Sequence, residues 1–357
     1  GSDDYLIANS TLGSMTGSLS FWAKLDTYGA DVYLYDARGV GNTGSGYLYL
    51  SSATPSIATQ SSGTVYVDGV TGANITTNEW HHIVVTGTTL DITTDIIFGS
   101  RYNEVNILDG QMSQVGLWNS TLTADEVSSL YNHGLPVDLS TDQAAYESSS
   151  NLVGYWRMGS GTLDSYPLIA DQTDATLGSE IVTGDNSTFD TSTGDWQQFR
   201  GVLSWDSSIK AGKWTDNNTA GGPVGFTMSG GVIPTSANSV YIIEFQAKSD
   251  TSSAINFGYI GETDSFGTIL NPNLTNSFQD YKFIFVTTSA NQRLYVAFLS
   301  SPFADGESYY IDNVSIKEVQ GNPAIMTNMA STDIENGSPY ANIVQNSDFS
   351  EGSTDWS

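Results

Sequence analysis

Residues 19–25 read Leu19-Ser20-Phe21-Trp22-Ala23-Lys24-Leu25, so Leu19, Phe21, Ala23 and Leu25 alternate with Ser20, Trp22 and Lys24. A period of two sends these sets to opposite faces of a strand, one to a core and one toward water. The same alternation returns at Val32–Tyr35, Tyr47–Leu50, Val65–Val67, Ile83–Val85, Ile96–Phe98 and Met112–Trp118, with the turn pairs Asp68-Gly69 and Asp109-Gly110 between runs. Strands at this spacing without intervening amphipathic helices indicate an antiparallel sandwich. One helix is expected, over residues 123–133: Thr123 and Glu126 form a capping box, Val127, Leu130 and Tyr131 make an apolar stripe, and Gly134 and Pro136 stop it.

Composition narrows the function. The 357 residues include 39 acidic against 11 basic side chains, a net charge of −28, which repels nucleic acid and anionic membrane and attracts cations, Ca²⁺ among them. There is no cysteine, hence no disulfide, thiolate metal site or Cys nucleophile. No apolar run is long enough to span a membrane. Abundant Tyr, with few helix formers, agrees with β-structure throughout.

The second half repeats the pattern. Tyr241, Ile243, Phe245 and Ala247 alternate with Ile242, Glu244, Gln246 and Lys248, and further alternating runs lie at 281–286, 294–299 and 309–316. No helix is expected there. The segment from Ile181 to Trp196 is restated from Ile343 to Trp356, with Phe189 and Trp196 recurring as Phe349 and Trp356. Residues 342–357 therefore read as the opening of a further, truncated repeat, and the chain as a piece of a modular array.

Asn78-Glu79-Trp80-His81-His82-Ile83-Val84-Val85-Thr86, the stretch from Leu108 to Asn119 and the helix region from Leu122 to Tyr131 occur in one order. With the openings at residues 1–5 and 18–24 they resemble the laminin-G-like, concanavalin A-like jelly roll, over most of residues 1–139. The opening from Val182 to Asp190 with Trp196, and the closing run from Tyr309 to Lys317, resemble carbohydrate-binding modules of the galactose-binding-like jelly-roll type. The expected fold is all-β, tandem antiparallel β-sandwich (jelly-roll) domains with one short helix in the first. Residues 1–139 form the first sandwich, 140–179 a connector, 180–319 the second jelly roll and 320–341 a linker.

No pair of strand-borne carboxylates, no H-E-x-x-H and no G-x-S-x-G is present, so no enzyme activity is expected. His81 and His82 fall on opposite faces of one strand, so they do not easily share a metal, and one packed and one surface imidazole are expected. A sugar site needs an aromatic platform beside hydrogen-bonding groups, and the segment from Trp205 to Asn217 offers Trp205, Trp214, Asp216 and Asn217. Similarity to the jelly rolls implies a structural Ca²⁺ at Asp190 and Asp312. The combination of modules is similar to bacteriophage tail, fibre and virion-surface proteins. The implied role is non-catalytic: a virion-surface or extracellular structural protein that contacts other copies, other virion proteins and host-surface glycans, without membrane insertion. Glycan-binding modules of a secreted polysaccharide-degrading enzyme, or a bacterial adhesin, are the alternatives.

Overall fold

The computed structural model describes residues 4–9, 12–27, 31–38, 45–51, 57–59, 63–72, 74–92, 95–217, 224–228, 233–250, 255–256, 259–262, 265–266, 273–291, 293–298 and 303–334. The chain divides into two units, one made of residues 1–176 and 320–357, the other of Leu177–Val319. The repeat expected at 342–357 lies outside the described residues.

In the first unit the alternating runs pair as a seven-stranded and a six-stranded sheet. The six-stranded sheet is centred on Met15–Leu25, antiparallel to Trp80–Leu90 on one side and Gly110–Trp118 on the other. Leu19, Phe21, Ala23 and Leu25 enter the core, as their period of two requires. Facing them are Leu34, Leu48, Leu50, Ile96 and Phe98 of the seven-stranded sheet. Each such side chain contributes about 1.5–3 kcal/mol when fully buried. The helix Ala124–Tyr131 starts at the Thr123 cap, with both arms of the capping box formed, and Asn132 ends it in the left-handed region at φ 44°. Val127 and Leu130 pack with Val84, Trp118 and Tyr155 in a second cluster on the other side of the six-stranded sheet.

Two expected boundaries change. Residues 140–179 do not form a free connector: Leu152–Trp156 pairs with Gly110–Trp118, and Leu168–Ile169 joins the seven-stranded sheet. Residues 320–341 are likewise no simple linker, because Ala324–Thr327 lies between Leu168–Ile169 and Tyr5–Asn9 in that sheet. Ala324 and Met326 reach the first core, and Gln320 N–H donates to Thr176 O where the chain re-enters the unit. The second unit is thus inserted into the first.

That second unit has two five-stranded sheets and a two-stranded ribbon. Its central strands Val240–Ser249 and Ser308–Glu318 are antiparallel neighbours, with Tyr241, Ile243, Phe245, Tyr309, Ile311, Val314 and Ile316 in one core. Against expectation it contains a one-turn helix, Asp185–Thr188. The polar sequence Asp-Asn-Ser-Thr has low helix propensity, so no periodic signal announces it. Trp196 Nε1 donates to Asn186 O (2.8 Å) and Ser187 Oγ to Val314 O (2.6 Å), fixing that turn from outside. Among the described residues no helix is long and apolar enough to cross a membrane.

Candidate functional site

The hairpin Val202–Asp206/Ala211–Thr215 carries the aromatic residues singled out in the sequence. Its register sets Leu203 opposite Trp214 and Trp205 opposite Gly212, so both Trp side chains point to the inward face. Trp214 is fully buried; its Nε1 donates to Arg200 O (2.7 Å), and its ring meets Tyr309 at 5.5 Å and Phe303 at 5.8 Å. The expectation that Trp214 forms a sugar platform is therefore corrected: a strand neighbour in the core cannot also face solvent. Gly201, at φ 65°, lies against the indole, and a Cβ there would stand 2.4 Å from it. Trp205 is 36% exposed at the sheet edge, with Nε1 donating to Phe189 O (2.6 Å). Asp216 is buried at the strand end, where its N–H donates to Glu307 O, and Asn217 is exposed beside it. These four residues do not form one surface.

The outward face of the same sheet does. Lys213 and Lys248 are the cross-strand partners of Tyr310, one on each side, and their Nζ atoms lie 5.4 and 4.6 Å from the ring centroid. In the next row Gln246 stands between Asp312 and Asp280. Gln246 Nε2 donates to Asp280 (2.9 Å) and its Oε1 accepts from Asn313 Nδ2 (2.9 Å), which fixes the amide's orientation. Lys248 also reaches over Phe278, at 5.5 Å, and Tyr310 Oη donates to Asp250 (3.3 Å). Burial raises the Tyr310 phenol's pKa, so it remains a neutral donor. An aromatic ring, two ammonium groups and an ordered amide and carboxylate row share one sheet face.

Asp190 follows the one-turn helix and Asp312 lies in Ser308–Glu318. Burial and the charge of Asp190 raise the Asp312 pKa, so the two carboxylates sense each other. Asp190 already accepts from Thr188 Oγ1 (2.9 Å) and holds the Lys210 ammonium at 3.2 Å, contacts that lower its own pKa. Among the described residues no group of three or more His, Asp or Glu is arranged to hold a metal ion. Ca²⁺ takes about six to eight oxygens, so these two carboxylates would supply part of such a shell, with the Lys210 ammonium competing for Asp190.

His81 and His82 are both buried, in place of the one surface imidazole expected of the pair. Asp68 Oδ2 lies 2.7 Å from His81 Nδ1, and His81 Nε2 accepts from Thr76 N–H (3.0 Å). The Thr76 hydroxyl, 2.9 Å from that nitrogen, donates to Glu79 Oε2 (2.5 Å). The imidazole lone pair is thus engaged by a backbone N–H and the hydroxyl by a carboxylate. The arrangement pins the turn before Trp80 instead of activating a nucleophile.

Comparison with known families gives one match. Residues 1–94 match the model of the concanavalin A-like lectin/glucanases superfamily. Among solved structures, the chain is similar to the CBM22-1 xylan-binding domain of Paenibacillus barcinonensis Xyn10C, at 14% identity and TM-score 0.33, covering 41% of this chain and 98% of that one. It is also similar to the N-terminal cellulose-binding domain of Cellulomonas fimi β-1,4-glucanase C, at 18% identity and TM-score 0.30, covering 37% of this chain and 93% of that one. No curated protein matches.

The first unit and the inserted unit each keep an outer sheet face bearing polar and aromatic side chains. In the jelly roll the signal was present at Gln246 and Lys248, the polar half of an alternating strand.

Proposed function

We propose that the chain is a non-catalytic, glycan-binding structural protein displayed on a surface outside the cell, on a phage virion as a tail, fibre or decoration component. The observation that carries the glycan reading is the outward face Lys213–Tyr310–Lys248 with Asp312–Gln246–Asp280 beneath it. A pyranose has an apolar face and a hydroxyl rim. Lysine stems and the Phe278 ring suit the first, while two ammonium groups, a fixed amide and carboxylates suit the second. Cross-strand hydrogen bonds hold these groups before any ligand arrives, which lowers the ordering cost of binding. The virion setting rests on the modular sequence and on the acidic, cysteine-free composition.

A glycan array probed with the full chain and with Lys248→Ala tests the binding reading. Signals that fall at least about tenfold in the variant, at unchanged melting temperature, support it. Silence across the array, or equal signals from both proteins, removes it. Mass spectrometry of purified particles tests the virion setting, and absence of the chain from them rejects it.

A further inference from the structure

The outer face of the seven-stranded sheet in the first unit carries a cluster of tyrosines and arginines. Val32, Leu34, Leu48 and Leu50 go to the core, so Tyr33, Tyr47 and Tyr49 take the other face. A bulge between Tyr33 and Tyr35 turns Tyr35 inward and brings Asp36 opposite Tyr47. The Tyr33 and Tyr49 rings stack at 5.3 Å, with Tyr47 at 5.6 Å from the first and 6.0 Å from the second. The Arg38 guanidinium lies 3.8 Å over Tyr47 and 5.2 Å from the Tyr102 ring. Arg101 lies 5.2 Å from the Tyr102 ring and 5.8 Å from that of Tyr33.

The two arginines are held differently. Arg38 is buried and paired with Asp36, through Nε to Oδ1 (2.9 Å) and Nη2 to Oδ2 (2.5 Å), and Asp36 also accepts the Tyr102 N–H (3.0 Å). That pair is neutral and fixes the loop carrying Tyr102. Arg101 has no carboxylate partner among the described residues, and its buried Nε–H has no hydrogen-bond acceptor there. In a chain of net charge −28 with only 11 basic residues, two of them stand in one tyrosine cluster, and Arg101 has no carboxylate partner among the described residues.

We propose that Arg101, with Tyr49 and Tyr102 and backed by the buried Tyr33 ring, forms a second glycan site, one that takes an anionic pyranose, a uronate or a sulfated sugar. The planar guanidinium offers parallel N–H groups to a carboxylate or sulfate, and the tyrosine rings and hydroxyls meet the sugar's apolar face and rim. The protein's remaining acidic charge disfavours densely charged polyanions such as nucleic acid, yet at physiological salt it is screened beyond about 8 Å, so Arg101 dominates at the contact.

The site shares no residue with the outward face of the inserted unit, and the test keeps the two apart. Calorimetric titration of the full chain would use a galacturonic acid trisaccharide, a sulfated galactose disaccharide and a neutral galactose trisaccharide. Expected is binding of one or both acidic sugars with a preference of about tenfold or more over the neutral one; which acidic arm responds tells carboxylate from sulfate. Arg101→Gln should lower that affinity about tenfold or more, and Tyr49→Ala should also weaken it, with circular dichroism melts confirming folded protein. Lys248→Ala should leave it unchanged. No binding of either acidic sugar up to about 10 mM, equal binding by Arg101→Gln, or loss in Lys248→Ala in place of Arg101→Gln overturns the proposal.

Discussion

Ser20 Oγ lies 2.7 Å from His82 Nε2, in a buried pair whose imidazole forms a three-ring cluster with Trp22, at 5.0 Å, and Tyr131, at 6.3 Å, themselves 6.2 Å apart. Tyr131 belongs to the capped helix and Ser20 and His82 to adjacent strands, so this one polar contact sits where helix meets sheet. Burial pushes the imidazole down to about 4, and the charge of Asp68 only partly opposes this.

A pH dependence follows from that shift. The folded value of about 4 lies below the ordinary 6.5, so between them the unfolded chain takes up a proton that the folded chain refuses. Stability contributed by neutral His82 is full above about pH 6.5 and declines as pH falls toward 4, by about 2 kcal/mol at pH 5. Asp68 acts in a lower window. Burial raises its pKa but hydrogen bonds from His81 and the His82 N–H outweigh this, so its contribution is lost only below the ordinary carboxylate range. Urea unfolding at pH 7 and pH 5 measures the first effect, and His82→Gln should flatten it. A parent protein equally stable at both pH values would show that His82 is not held neutral.

Trp214→Ala should destabilise the inserted unit by about 3–5 kcal/mol, because it empties a core site against Tyr309 and Phe303. Trp205→Ala, at a half-open edge, should cost about 1 kcal/mol. Thermal melts of both variants separate the roles. Lost ligand binding in Trp214→Ala with an unchanged melt would return Trp214 to a sugar contact.

Glu126 accepts from Thr123 N–H (2.8 Å) and from Ser148 Oγ (2.5 Å), so one carboxylate closes the helix start and secures the following segment. Glu126→Ala should lower stability by about 1–2 kcal/mol, more than a cap on an isolated helix, with Glu126→Gln in between. Chemical denaturation of the three proteins ranks them.

Chelation with EGTA should leave the parent melting temperature unchanged, since Lys210 already neutralises Asp190. Lys210→Met uncovers the repulsion between Asp190 and Asp312, and added Ca²⁺ should then raise the variant's melting temperature. A drop of several degrees in the parent on chelation would establish calcium ligation instead.

The sandwich was legible because alternation is local: seven residues from Leu19 to Leu25 are enough to assign faces, and Thr123 with Glu126 is enough to start a helix. What escaped was non-local. Ala324–Thr327 has no turn or charge signature to distinguish a strand from a linker, and only its pairing with Tyr5–Asn9 makes it one. The bulge at Tyr33/Tyr35 reverses the face of Tyr35, which no period of two anticipates. Trp214 misled because exposure was inferred from polar neighbours, when strand geometry sends those neighbours to the opposite face.

The re-entry of the chain at Gln320, bonded back to Thr176, orders events during synthesis. The sheet that begins with Tyr5–Asn9 cannot acquire its Ala324–Thr327 strand until the whole of Leu177–Val319 has left the ribosome. The first unit to begin is therefore the last to close, and until then the flank of Tyr5–Asn9 that awaits this strand offers unpaired backbone groups to any neighbouring nascent chain. Once closed, the inserted unit is anchored at both its ends, so a single proteolytic cut at either junction leaves it attached.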